Sequence, residues 1–130
     1  MDDNLRARLD RLKPRFSRIF KSHLSPKNQD FPYDYVAFLK HIGYGTIGDG
    51  FFEIYKQPLP AEHIYGSDCS ERLKSIKLFG DDYNGYCVGF DSLDEWAVVE
   101  VDKITYEVER LADNFIDFME TDFRVNPQVD

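Results

Sequence analysis

Apolar residues recur at spacings of three and four through Leu5, Leu9, Leu12, Phe16, Ile19 and Phe20. That period predicts one face of a helix over residues 3–22, with Arg6, Arg11, Lys13, Arg18 and Lys21 on the opposite face. Pro14 should kink or split this helix, because it has no N–H to give the carbonyl of residue 10. A second helix is predicted over 31–43. Pro32 suits its first turn, Asp34 its positive end and Lys40 its negative end, while Tyr35, Phe38, Leu39 and Ile42 form the buried stripe. Gly43 can take the left-handed conformation that ends a helix. Residues 25–30 read as a linker joining the two helices.

Past Gly43 the period changes. Gly43, Gly45, Gly48 and Gly50 turn the backbone, and 51–55 then reads as a strand that Pro58 and Pro60 should break. Residues 67–73 carry a short helical signal. Strands are predicted over 75–79, 86–90, 96–101 and 105–110, with Asn84-Gly85 at a hairpin tip because both residues tolerate positive φ. Leu111, Phe115, Phe118, Met119 and Phe123 return to helical spacing, with Asp113 as the N-cap. Helices at the ends and strands together predict an α+β fold. It has N-terminal helices, a central largely antiparallel sheet and a C-terminal helix packed in a single domain over 1–130. Phe38, Leu39, Ile42, Phe90, Val99, Phe115 and Phe118 are expected in its core.

Composition supports one folded unit. The chain has 130 residues, and 11 Phe, 8 Tyr and 1 Trp supply enough large apolar volume to fill a core without disulfides or metal. The longest runs without Asp, Glu, Lys or Arg are eight residues, at 41–48 and 83–90, far short of the roughly 20 apolar residues of a membrane span. The acidic start at Met1-Asp2-Asp3 lacks the apolar stretch of a secretory signal. Cys69 and Cys87 lack metal-ligand or disulfide-framework spacing, so a cytoplasmic protein with reduced thiols is expected.

Charge changes the picture more. The net charge is −8, which argues against nucleic acid as a partner. It is also uneven. Residues 1–80 hold 13 basic and 10 acidic side chains, whereas 81–130 hold 3 basic and 14 acidic. A strongly acidic half would attract a basic protein partner. The expected contact residues are Asp81, Asp82, Asp91, Asp94 and Glu95 on and near the strand turns. Trp96 is either an aromatic anchor beside them or core material next to Val98 and Val99. The competing reading is that these acids cap turns and keep the surface solvated.

Chemistry-bearing motifs are sparse. Gly43-Tyr44-Gly45-Thr46-Ile47-Gly48 has the GxGxxG form, but it follows a helix and precedes a strand, the reverse of a dinucleotide site. Asp82-Tyr83-Asn84-Gly85 matches part of a calcium loop, yet Gly80 and Asp91 stand where the flanking ligands belong. His23, His41 and His63 show no zinc spacing, and no local His partners either cysteine. Acidic pairs such as Asp81/Asp82 and Asp94/Glu95 come without a recognisable substrate cleft. No catalytic residue, metal or cofactor is expected.

An amphipathic N-terminal segment is followed by Phe31-Pro32-Tyr33-Asp34-Tyr35-Val36-Ala37-Phe38-Leu39-Lys40-His41-Ile42-Gly43-Tyr44-Gly45. Then come Ile76-Lys77-Leu78-Phe79-Gly80-Asp81-Asp82-Tyr83-Asn84-Gly85-Tyr86-Cys87-Val88-Gly89-Phe90-Asp91, a strand led by Trp96, and Asn114-Phe115-Ile116-Asp117-Phe118. This order, over roughly 10–122, resembles the SUKH superfamily, the Smi/Knr-type domain. The chain departs from that pattern at Ile42-Gly43-Tyr44-Gly45, where many members carry Asn-Gly, and at Phe79-Gly80, where Ala is commoner. The resemblance implies a non-catalytic protein-binding α+β domain. Many bacterial members are thought to be immunity proteins that neutralise polymorphic toxins, often nucleases with basic substrate clefts. A fungal relative is a cell-wall scaffold and regulator. A small ligand-binding or hydrolytic domain using the acidic turns is the alternative.

Overall fold

In the computed structural model, which describes residues 1–22, 30–48, 50–66 and 70–126, the Asp2 carboxylate accepts from the Leu5 N–H (2.7 Å). That cap starts α1 (Asp3–Leu12), which buries Leu5, Leu9 and Leu12. The predicted helix over 3–22 does not run on. Pro14 falls in a 3₁₀ turn, Lys13–Arg15, and the chain continues as strand β1 (Phe16–Phe20). Two causes combine. Pro14 removes a helical donor, and the aromatic and β-branched residues after it suit an edge strand once a neighbour offers backbone partners.

That neighbour is β2 (Tyr44–Ile47), which follows α2 (Tyr33–His41). Gly48 and Gly50 turn the backbone at positive φ as expected, whereas Gly43 and Gly45 let β1 approach. A Cβ on Gly45 would lie 1.9 Å from the Arg18 carbonyl oxygen, so only glycine fits this pairing. The segment 25–30 therefore lies between β1 and α2 and not between two helices, and 23–29 are outside the described residues.

β3 (Phe52–Pro60) passes through Pro58 and Pro60 instead of breaking at them. Its register against β4 (Ile76–Asp81) shifts between Ile54 and Leu59, an irregularity that accommodates prolines without ladder donors. Between the two strands come a short helix, α3 (Glu62–Tyr65), and a 3₁₀ turn over Glu71–Ser75. Residues 71–73 of the predicted helix at 67–73 fall in that turn, and 67–69 lie outside the described residues.

β5 (Tyr86–Asp91), β6 (Ala97–Asp102), β7 (Val108–Ala112) and α4 (Phe115–Thr121) complete the chain. All seven strands form one antiparallel sheet in sequence order. The α+β architecture is the one the periodicity predicts. Two details differ. Trp96 precedes β6 and does not lead it, and β7 begins at Val108, after a turn that takes up Thr105. Asn114, not Asp113, caps α4 by accepting from the Asp117 N–H (2.9 Å), while Asp113 pairs with Arg110.

The α1, α2 and α4 helices cover one face of the sheet. Phe52, Phe79, Phe90, Tyr35, Phe38, Phe115 and Phe118 are buried there in a network of ring contacts. Asp34 ties two helices together, since it accepts from the Tyr35 N–H (2.8 Å) and from the Ile116 N–H (2.9 Å) in the first turn of α4. The 61–75 connection contributes Ala61 and Leu73 to a smaller core on the opposite face, with Ile76, Leu78, Cys87, Val99 and Val101. All seven predicted core residues are buried, with Val99 on this second face.

Candidate functional site

Antiparallel order places the connections 82–85 and 103–107 at the same end of the sheet as Gly48, Gly50 and Phe51. The Lys103 N–H donates to the Gly85 carbonyl (2.9 Å) and Glu53 pairs in register with Asp81, which locks these turns side by side. The 92–96 turn lies at the other end. The six expected contact residues therefore do not converge. Asp81 and Asp82 stand at one end and Asp91, Asp94, Glu95 and Trp96 at the other, separated by the length of β5, about 17 Å at about 3.3 Å per residue.

Two of the five acids are buried. Asp82 is buried, with one oxygen accepting from the Asn84 and Tyr86 N–H groups (2.8 and 3.0 Å) and the other facing Arg124 (3.2 Å). Asp91 is buried and accepts from the Ser75 hydroxyl (2.8 Å) and the Leu93 N–H (3.1 Å), with Arg72 at 2.8 Å. Burial alone would raise the Asp91 pKa, but these donors outweigh it and hold it below the usual carboxylate range. The expectation that short carboxylates in turns point to solvent fails at these two positions, because the turn's own N–H groups capture them.

The others differ again. Asp81 is half-buried, paired with Lys103 (2.8 Å) and close to the Tyr55 hydroxyl (3.3 Å) and the Cys87 thiol (3.9 Å). Burial pushes both that hydroxyl and that thiol up, so Cys87 stays a protonated core residue. Asp94 is exposed and 3.4 Å from Arg110, and Glu95 is exposed. Trp96 packs against Phe31 and Phe90, with ring centroids 5.4 and 6.2 Å apart. This is the core reading and not the anchor reading.

The end that carries Asp82 holds a feature the sequence reading missed. Arg124, just beyond α4, is 7% exposed. Its guanidinium meets Asp122 (2.8 Å, two bonds), Glu100 (3.0 Å) and Asp82. One cation thus serves three carboxylates. Burial works against the guanidinium's charge, but Asp122, Glu100 and Asp82 keep it firmly protonated. Burial raises the Glu100 pKa, Arg124 opposes the shift, and Glu109, its partner across the β6–β7 ladder, adds to it.

Around this cluster three aromatic side chains from three separate segments stay in solvent. Phe51 is 57% exposed, Tyr83 58% and Phe123 74%. With Asn84 they rim a groove of about 460 Å³ whose walls include Asp82 and Arg124. A smaller depression of about 250 Å³ adjoins it past Phe51, reaching Pro14, Ile47 and Val125. Two of the rings are held in place. Phe123 lies over the Arg124 guanidinium at 5.3 Å, and the next residue, Val125, is fully buried. The Tyr83 hydroxyl donates to Glu53, a bond that pushes the phenol up to about 12. Tyr83 also sits at φ 59°, a left-handed conformation costly for a non-glycine residue. At this hairpin tip positive φ falls on Tyr83 and Gly85, not on Asn84.

Signals for these residues were present but faint. Adjacent strand residues face opposite ways, so Phe51 and Phe52 could not both enter one core. The helical spacing that predicts Phe123 as the end of a stripe gives out at Thr121, where α4 stops. Among the described residues no group of His, Cys, Asp and Glu is placed to hold a metal ion, and His41 pairs with Asp10 (2.6 Å). Among the same residues no helix is long and apolar enough to cross a membrane. Comparison with models of known protein families, with curated proteins and with solved structures finds no match.

Proposed function

We propose that this chain is a non-catalytic protein-binding domain that captures a cationic protein, and specifically an immunity protein of the SUKH type that neutralises a toxin domain in the cytoplasm. One observation carries the reading. Phe51, Tyr83 and Phe123 are exposed, come from three segments and rim one groove whose wall holds the buried Asp82–Arg124 pair. Large rigid rings at low entropic cost are what binding hot spots use. The surround supplies the charge preference, since Glu107 and Glu109 are exposed near the same end and the last 50 residues are strongly acidic. Charge of this kind speeds encounter with a basic partner.

The test begins with partner capture from native lysate by the wild-type domain and by a Phe51→Ser/Phe123→Ser variant. The reading expects a basic protein held by the first and lost by the second. Its association rate should fall as salt rises and fall again in Glu107→Lys/Glu109→Lys, while Asp94→Lys/Glu95→Lys at the far end leaves it nearly unchanged. A partner held equally by the Ser variant, or at a rate indifferent to salt, removes the proposal.

A further inference from the structure

We propose that the groove between Phe51, Tyr83 and Phe123 receives an arginine side chain of the protein partner, its guanidinium stacked on the exposed ring faces beside the Asp82–Arg124 pair. The inference rests on the reading of the domain as a protein-binding module and names the group that module grips.

Charge balance argues for a cation. Asp82 lines the groove wall, and Glu100 and Asp122 stand behind it on the same Arg124 guanidinium, three carboxylates against one cation. The cluster thus retains an excess of negative charge in a poorly hydrated place. An incoming cation would relieve it from the solvent side.

Shape and polarisability argue for a guanidinium over an ammonium or an alkyl chain. The rim is aromatic, and ring faces attract flat, weakly hydrated cations. The described residues already make this contact three times, with Arg124 over Phe123 at 5.3 Å and over Phe118 at 6.0 Å, and Arg18 over Phe20 at 5.2 Å. Phe123 is 74% exposed, so Arg124 leaves most of its ring surface free. A donor-rich group would also find an acceptor. The Asn84 side chain lines the groove and makes no hydrogen bond to the described residues.

The experiment titrates the full-length chain with short capped Gly/Ser peptides that differ only at one central residue: arginine, citrulline or leucine. Ring and amide resonances are followed by NMR. The arginine peptide should shift Phe51, Tyr83 and Phe123 saturably, and the neutral citrulline peptide should bind at least about fivefold more weakly. Phe123→Leu keeps apolar bulk but removes the ring, so it should cost about the same factor for arginine while the domain still unfolds cooperatively. A leucine peptide that binds as tightly as the arginine peptide overturns the inference. So do shifts that appear away from these rings, or no shifts at all. In those cases a partner still lost on Phe51→Ser/Phe123→Ser leaves the protein-binding reading standing. Failure to retain any partner through this end removes the reading itself.

Discussion

The two ends of the sheet solve one problem in opposite ways. At the 82–85 end a buried cation, Arg124, gathers carboxylates and leaves three aromatic rings in solvent. At the 92–96 end a buried carboxylate, Asp91, gathers donors, and the aromatic side chain, Trp96, is folded against Phe31 and Phe90. What remains outside there is Leu93, Asp94 and Glu95. The difference shows that acidic residues in turns are not one class. Some are scaffolding for the turn, some neutralise a buried ion, and only the remainder meets solvent. An interface is better sought where rings stay exposed over a rigid base than where acids are most frequent.

The comparison breaks most visibly at its two hubs. Arg124→Ala should destabilise the fold by about 3–5 kcal/mol, because it leaves three carboxylates in a poorly hydrated site without their cation. Chemical denaturation near neutral pH measures this, and the loss should shrink in acid as Glu100, its pKa raised by burial, protonates. A loss under about 1 kcal/mol would mean that water already satisfies the cluster. Asp91→Ala should cost less, about 1–3 kcal/mol, since it orphans a hydroxyl and an N–H but strands no buried charge. Its pH dependence has a definite sign. The folded Asp91 pKa is depressed, so its stabilisation is present above the ordinary carboxylate range and lost as pH falls through the depressed value. Asp91→Ala and wild type should therefore converge in strong acid.

Backbone strain sharpens the contrast. Tyr83 at one end and Glu95 at the other both hold positive φ, at 59° and 53°. Glu95→Gly should raise stability by about 0.5–1 kcal/mol and leave partner binding alone. Tyr83→Gly relieves the same strain but removes a rim ring, so it should bind the partner markedly more weakly without being less folded. Equal binding by both variants would separate Tyr83 from the site.

Much of the fold was legible because its signals are local. Tyr35, Phe38, Leu39 and Ile42 announce their helix within eight residues, and Asn84-Gly85 marks the hairpin tip. Strand β1 was not legible. Phe16, Ile19 and Phe20 satisfy a helical period as well as a strand, and the choice is made by β2, which lies beyond α2 in sequence. The candidate site was hidden for the same reason on a larger scale. Arg124 meets Asp82 across 42 positions and Glu100 across 24, and no short pattern encodes such a meeting. Its sequence trace is only that a lone arginine stands late in an acidic stretch. Asp82 and Asp91 were legible as turn residues, but whether a turn carboxylate faces in or out depends on the N–H groups that the folded turn presents.

The smallest expected effect concerns the edge of the Arg124 cluster. Glu100 and Glu109 sit directly opposite each other on β6 and β7, and like charges so placed are destabilising by about 0.2–1 kcal/mol. Glu109→Gln removes the repulsion yet leaves every bond to Arg124 intact, so it should stabilise the domain near neutral pH by that amount. The sign of the pH dependence follows from Glu100, whose folded pKa is raised by burial and by Glu109. A raised acid favours the native state below the unfolded value and loses that advantage as pH rises through the folded one. Wild type should therefore lose stability over this interval more steeply than Glu109→Gln, and the two should coincide once Glu100 is protonated in acid. Urea midpoints across the acid-to-neutral range decide it. A gain that persists undiminished in acid would place its origin in side-chain packing on β7 and detach it from the charge of the cluster.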